Sequence, residues 1–149
     1  MEYPSMNKKN EQPGINFDNI ILKDLNFHLE PNCPMQPKIN VNFSSNFNFD
    51  KTHNILAVEL ALEIIEREEK PRIKLKCSFI GFFSNQKDGN DIDFNKFAQF
   101  SAPPIMFPFI RETVTSITAK SAITPIILPP INIIAILNPP PKSKKVDKK

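Results

Sequence analysis

The chain has 149 residues, 40% hydrophobic and 23% charged, with a formal net charge of +3. That length argues for one domain. Three glycines (Gly14, Gly81, Gly89) exclude the glycine-rich loops that cradle nucleotides. Two cysteines and two histidines are too few for a disulfide framework or a four-cysteine zinc site, so no metal or other cofactor is expected. Five lysines crowd into positions 142–149. The body is therefore near neutral, which argues against a nucleic-acid surface. Prolines interrupt the most apolar stretch, Ala122 to Leu137, so no membrane span is expected. Polar residues follow Met1-Glu2-Tyr3-Pro4, so the expectation is a cytoplasmic protein.

In chain order, residues 1–14 are polar and read as a flexible arm, 15–138 as the folded domain, and 139–149 as a disordered proline- and lysine-rich tail. In the first strand Leu25, Phe27 and Leu29 alternate with Asp24, Asn26 and His28. The second is the cleanest: Ile39, Val41, Phe43, Phe47 and Phe49 share one face, and Asn40, Asn42, Ser44, Asn46 and Asn48 the other. Ile55 to Glu66 is rich in helix formers, but the nine-residue alternation of Leu56 to Ile64 decides for a strand. After a turn at Glu68-Glu69-Lys70-Pro71, Ile73, Leu75, Cys77 and Phe79 alternate with Lys74, Lys76 and Ser78. Lys74 and Lys76 should meet the acidic face of the preceding strand. Short links predict a four-stranded antiparallel meander.

Helices follow. Asp91 or Asp93 caps a short one ending at Phe100. In the next, Ile105, Met106, Phe109, Ile110, Thr113, Val114 and Ile117 recur at helical steps. Pro108 falls in its first turn if Pro104 or Ile105 starts it. Ile131 to Leu137 makes a last short helix between proline blocks. The class is thus α+β.

No catalytic constellation stands out, and the chain is not expected to be an enzyme. Cys33 with His28 or His53 could be written as nucleophile and base, but no third group is implied. More informative is the surplus of apolar side chains, including thirteen phenylalanines, for a small sheet and one main helix. Such a surplus points to an oligomer interface or an apolar groove.

Phe107-Pro108, Arg111-Glu112, Pro125, Leu128, Pro130, Asn132 and Ala135 resemble the late motifs of the SecB protein-export chaperones. Lys23 to Phe27, Pro31-Asn32, Pro34 and Gln36-Pro37 resemble that family's first strand and the entry to its second. The resemblance runs from about residue 15 to 137. It implies a four-stranded sheet, a long helix, a short C-terminal helix and assembly as a dimer of dimers. It also implies an ATP-independent holdase for unfolded or precursor polypeptides in protein export. The client groove would be formed by Met35, Ile39, Val41, Phe43, Ile133, Ile136 and Leu137. The family docks a SecA-type motor on an acidic sheet face. Here Asp24 keeps an acid at that face, whereas His28 and Lys76 occupy the other acidic positions and Lys74 an apolar position beside them. Basic residues there would repel a basic partner. One alternative is a SecB-like chaperone dedicated to one client, such as an antitoxin. Another is an oligomer that is not a chaperone and holds a small apolar ligand between strands and helix.

Overall fold

A computed structural model describes residues 14–85 and 93–140. The expected arm apart from Gly14, the cap at Asp91 and the tail beyond Pro140 lie outside the described residues. Four strands come first: β1 (Ile15–Leu29), β2 (Ile39–Asp50), β3 (Ile55–Glu66) and β4 (Ile73–Asn85). Three helices follow: α1 (Phe94–Phe100), α2 (Ala102–Ala119) and α3 (Ile133–Leu137).

The four strands form one antiparallel sheet, as the alternation requires. Their order corrects the meander. β1 pairs with β4 rather than β2, giving β1-β4-β3-β2. Residues 30–38 carry the chain across the end of the sheet, past β4 and β3. Three strand spacings come to roughly 14 Å, well within reach of nine residues at about 3.3 Å each. Alternation fixes which face is buried, not which neighbour a strand takes. The pairing chosen puts Leu25, Phe27 and Leu29 opposite Cys77, Leu75 and Ile73 on the inner face.

β3 is central, and this explains why a segment of helix formers is extended. Leu56, Val58, Leu60, Leu62 and Ile64 form a fully buried row facing the helices. Ladders on both sides and that buried row outweigh the weak helix preference of Ala, Leu and Glu. α2 packs its Met106, Ile110 and Val114 stripe over β3 and β4. α1 is capped by Asp93, whose carboxylate accepts from the Lys96 N–H at 3.1 Å. Phe97 of α1 meets Phe83 edge-on at 5.1 Å, and Phe94 stacks on Phe49 at 4.4 Å.

α2 begins at Ala102, earlier than expected. Pro103 and Pro104 fill its first turn, and Pro108 falls inside the helix rather than in that turn. It offers no N–H to the Pro104 carbonyl and favours a bend there. Where α2 crosses β4, Gly81 lets the helix come close. A Cβ at position 81 would sit 3.0 Å from Met106 Sδ and 3.0 Å from Phe83 Cε2. Met106 and Phe83 are themselves fully buried, so neither can swing into solvent. Gly81→Ala is expected to cost about 1 kcal/mol, the low end of overpacking because a methionine tip is flexible. Denaturant midpoints of the two proteins measure it.

α2 lies mainly over β3 and β4 and meets the outer strand β1 at Phe109. The inner-face residues Phe17, Leu22 and Leu25 of β1 therefore stay exposed, with Ile105 and Phe109 of α2 nearby. Phe17 bridges them, its ring 5.0 Å from Phe83 and 6.0 Å from Phe109.

Candidate functional site

The groove begins with β2. Its apolar row faces the helices at the edge of α2, so α1, α3 and Phe107 of α2 cover it. Phe43 touches Phe107 edge-on at 5.9 Å and is half-buried. Between α3, α1 and this row lies a groove of about 420 Å³. Phe43, Ser45 and Phe47 line it from β2, Ala98 and Gln99 from α1, and Ile136 and Leu137 from α3. β2 is an edge strand, so alternate backbone N–H and C=O groups are open beside the groove.

Local chemistry fixes α3. The Asn132 side chain caps it, accepting from the Ala135 N–H at 3.1 Å. At the other end the Asn138 N–H donates to the Ile134 carbonyl at 2.9 Å, just before Pro139 and Pro140 stop the helix. The helix starts at Ile133 rather than Ile131, because Asn132 takes the cap position.

Of the seven residues expected in the groove, the structure gathers Phe43, Ile136 and Leu137 around one space. Ile39 and Val41 lie on the same β2 row, Val41 at 36% exposure, but nearer the start of the strand than this groove. Met35 is 60% exposed in the β1–β2 link, and its carbonyl accepts from the Thr124 N–H at 2.9 Å. Ile133 is buried to 3%, so it anchors α3 rather than facing an open groove. The α1 wall, Ala98 and Gln99, was not anticipated. No local pattern marks it, since it arises from α1 packing beside β2.

The opposite sheet face carries the second set. Asp24 lies opposite Ser78, and His28 opposite Lys74, while Lys76 pairs with Asn26 and with Glu63 on its two sides. Asp24, His28, Lys74 and Lys76 are thus neighbours on one surface. Its charge is mixed. Lys76 approaches Glu63 at 3.5 Å, Lys23 meets Glu59 at 3.3 Å, and His28 bonds Glu30 at 2.8 Å. Lys74 faces Ile65 instead of an acid, so one of the two expected cross-strand charge pairs forms. A hollow of about 560 Å³ on this face is larger than the groove, and Asp24, Glu59, Glu63 and Lys76 in its lining make it charged as well as apolar.

The two histidines lie at opposite ends of the sheet, each on its own carboxylate. His53 Nδ1 bonds Asp50 at 2.7 Å in the β2–β3 turn, far from His28 at the end of β1. Burial pushes the Cys33 thiol up, with Glu66 adding to the effect. Burial alone pushes Cys77 to about 11. Neither is poised as a thiolate. Among the described residues, no helix is long and apolar enough to cross a membrane.

Comparison with known proteins bears on this arrangement. Residues 8–140 match the family model described as preprotein translocase subunit SecB. The protein-export protein SecB of Thiobacillus denitrificans is 27% identical over 135 residues, covering 85% of this chain and 86% of its own. An uncharacterized protein of Methanocaldococcus jannaschii is 28% identical over 129 residues, covering 83% of each chain. Among solved structures, a Mycobacterium tuberculosis SecB-like chaperone, in complex with a ChAD peptide from the HigA1 antitoxin, superposes with a TM-score of 0.66. That match has 16% identity and covers 78% of this chain and 90% of the other. The four-stranded antiparallel sheet backed by a long and a short helix is the fold of that chaperone, and the family match places the chain in the protein-export class of chaperones. The chain belongs to the SecB family. That family consists of chaperones rather than enzymes.

Proposed function

We propose that this SecB-family chaperone holds unfolded export precursors in the groove between β2, α1 and α3, in the cytoplasm and without ATP. The observation that carries the reading is a groove with Phe43, Phe47, Ile136 and Leu137 in its walls, lying beside an open strand edge. A client without fixed sequence needs attraction that is not directional. Burial supplies roughly 25 cal/mol per Å² whatever the side chain, and the β2 edge can bond an extended segment through its backbone. Self-association, as a dimer of dimers, would cover the exposed Phe17, Leu22, Leu25 and Phe109. Lys74 and Lys76 beside Asp24 disfavour docking of a basic SecA-type motor on the far face.

That same charge pattern supports a second reading, a chaperone reserved for one client such as an antitoxin. The mycobacterial protein with the similar fold, solved with an antitoxin peptide, is a precedent. The test is suppression of aggregation of several chemically unfolded proteins. The general reading expects comparable protection of all of them at an equimolar ratio. The dedicated reading expects weak protection of these and tight binding of one cognate partner. Absence of any protection, together with absence of a cognate client, removes both.

A further inference from the structure

Thr118 is fully buried in the apolar stripe of α2, where valine would fill the same volume. Its hydroxyl donates to the Val114 carbonyl at 2.7 Å, the usual back-bond of a helical threonine. It also accepts the Ile126 N–H at 2.9 Å. One turn earlier, the Thr115 hydroxyl donates to the Ile126 carbonyl at 3.0 Å. Both backbone groups of one linker residue are therefore held by two hydroxyls of α2. Ile126 lies between Pro125 and the Pro129-Pro130 pair, in a linker with neither helix nor strand. Irregular backbone must find partners outside itself when buried, and here α2 provides them. The linker leads directly into α3.

We infer that Thr118 and Thr115 form a clamp on Ile126 that sets where α3 sits against β2, and hence the form of the client groove. Thr118 is a positioning residue, because it touches the linker and not the groove lining. The inference rests on the groove being the client site. The two are separable by experiment.

Thr118→Val in the full chain keeps the volume and removes the acceptor. The Ile126 amide should then exchange with deuterium at least tenfold faster by NMR. The α3 amides of Ile136 and Asn138 should also lose protection, while β3 amides keep theirs. Affinity for a permanently unfolded probe, reduced and carboxymethylated α-lactalbumin, should fall at least fivefold. Thr118→Ser restores the hydroxyl and should return all three readouts towards wild type. Unchanged exchange at Ile126 and in α3 overturns the clamp, as does faster exchange with affinity unchanged or raised. If the wild-type protein does not bind the probe, the groove reading fails, and exchange in α3 alone decides the clamp. Should Thr118→Val not fold, Thr115→Val serves. It frees a carbonyl that water can reach, and the same α3 amides report on it.

Discussion

Ile136→Asn is expected to weaken binding of an unfolded client roughly thirtyfold or more while leaving the fold intact. Ile136 is 46% exposed and lines the groove from α3. Substitutions at such positions change stability by about 0.5 kcal/mol or less. When a client covers it, the exposed half of the side chain contributes roughly 1 kcal/mol, half the value of a fully buried isoleucine. An amide in its place must lose water without gaining a fixed partner, at a cost of about 1–3 kcal/mol. The sum exceeds about 2 kcal/mol, and each 1.4 kcal/mol is roughly tenfold in affinity. Ile127→Asn is the control. Ile127 is more exposed still, at 66%, but belongs to the linker and does not line the groove. If apolar surface anywhere on the molecule sufficed, the two variants would be equally impaired. Titration of both against the same unfolded protein distinguishes these cases, and equal impairment would mean that clients bind elsewhere.

How far the sequence foretells this site can be judged residue by residue. The β2 row from Ile39 to Phe49 is legible because alternation with asparagines has a single physical reading, one wet face and one covered face. β3 is legible for the same reason, although its composition favours helix. The neighbour of β1 is not legible. It depends on whether a nine-residue link turns back or crosses the sheet end, and either is sterically open. The groove is legible only in part. Phe43, Ile136 and Leu137 meet because the apolar row of β2 and the wholly apolar α3 are adjacent. The α1 wall depends on tertiary placement that no period encodes. Ile133 illustrates the same limit, since within a five-residue apolar helix the sequence does not say which isoleucine turns inward. Thr118 left a trace of another kind: a hydroxyl four residues after Val114, at a stripe position where volume alone is needed.

Glu66 also left a signal, being the next residue of the buried β3 row after Ile64. Its carboxylate is held by Arg72 across the β3–β4 turn. Arg72 Nη2 donates at 2.8 Å and Nε at 2.9 Å, and the Arg72 backbone N–H adds a bond at 3.0 Å. The burial is unequal, with 2% of the Glu66 side chain exposed against 31% of Arg72. That asymmetry predicts which substitution hurts more. Arg72→Met strands a buried carboxylate with one backbone donor, and is expected to be strongly destabilising. Glu66→Gln leaves an arginine that water can reach, and is expected to cost much less. The double variant should be more stable than Arg72→Met alone, because no buried charge is left unmatched. The pH dependence should also change sign. In the wild type, hydrogen bonds from Arg72 hold the Glu66 carboxyl below its usual range, against the upward push of burial. A carboxyl with a lowered folded-state pKa stabilises above its unfolded-state pKa, and that contribution is lost as pH falls through the folded value. Without the guanidinium, burial dominates and the folded-state pKa lies above the unfolded one. Protonation then relieves the strain, so Arg72→Met should gain stability relative to wild type between pH 7 and pH 5, roughly the range a buried carboxyl of raised pKa would span. Urea midpoints at both pH values for the three variants provide the measurement. A Glu66→Gln protein less stable than Arg72→Met would show that Glu66 is not the member of the pair that needs its partner.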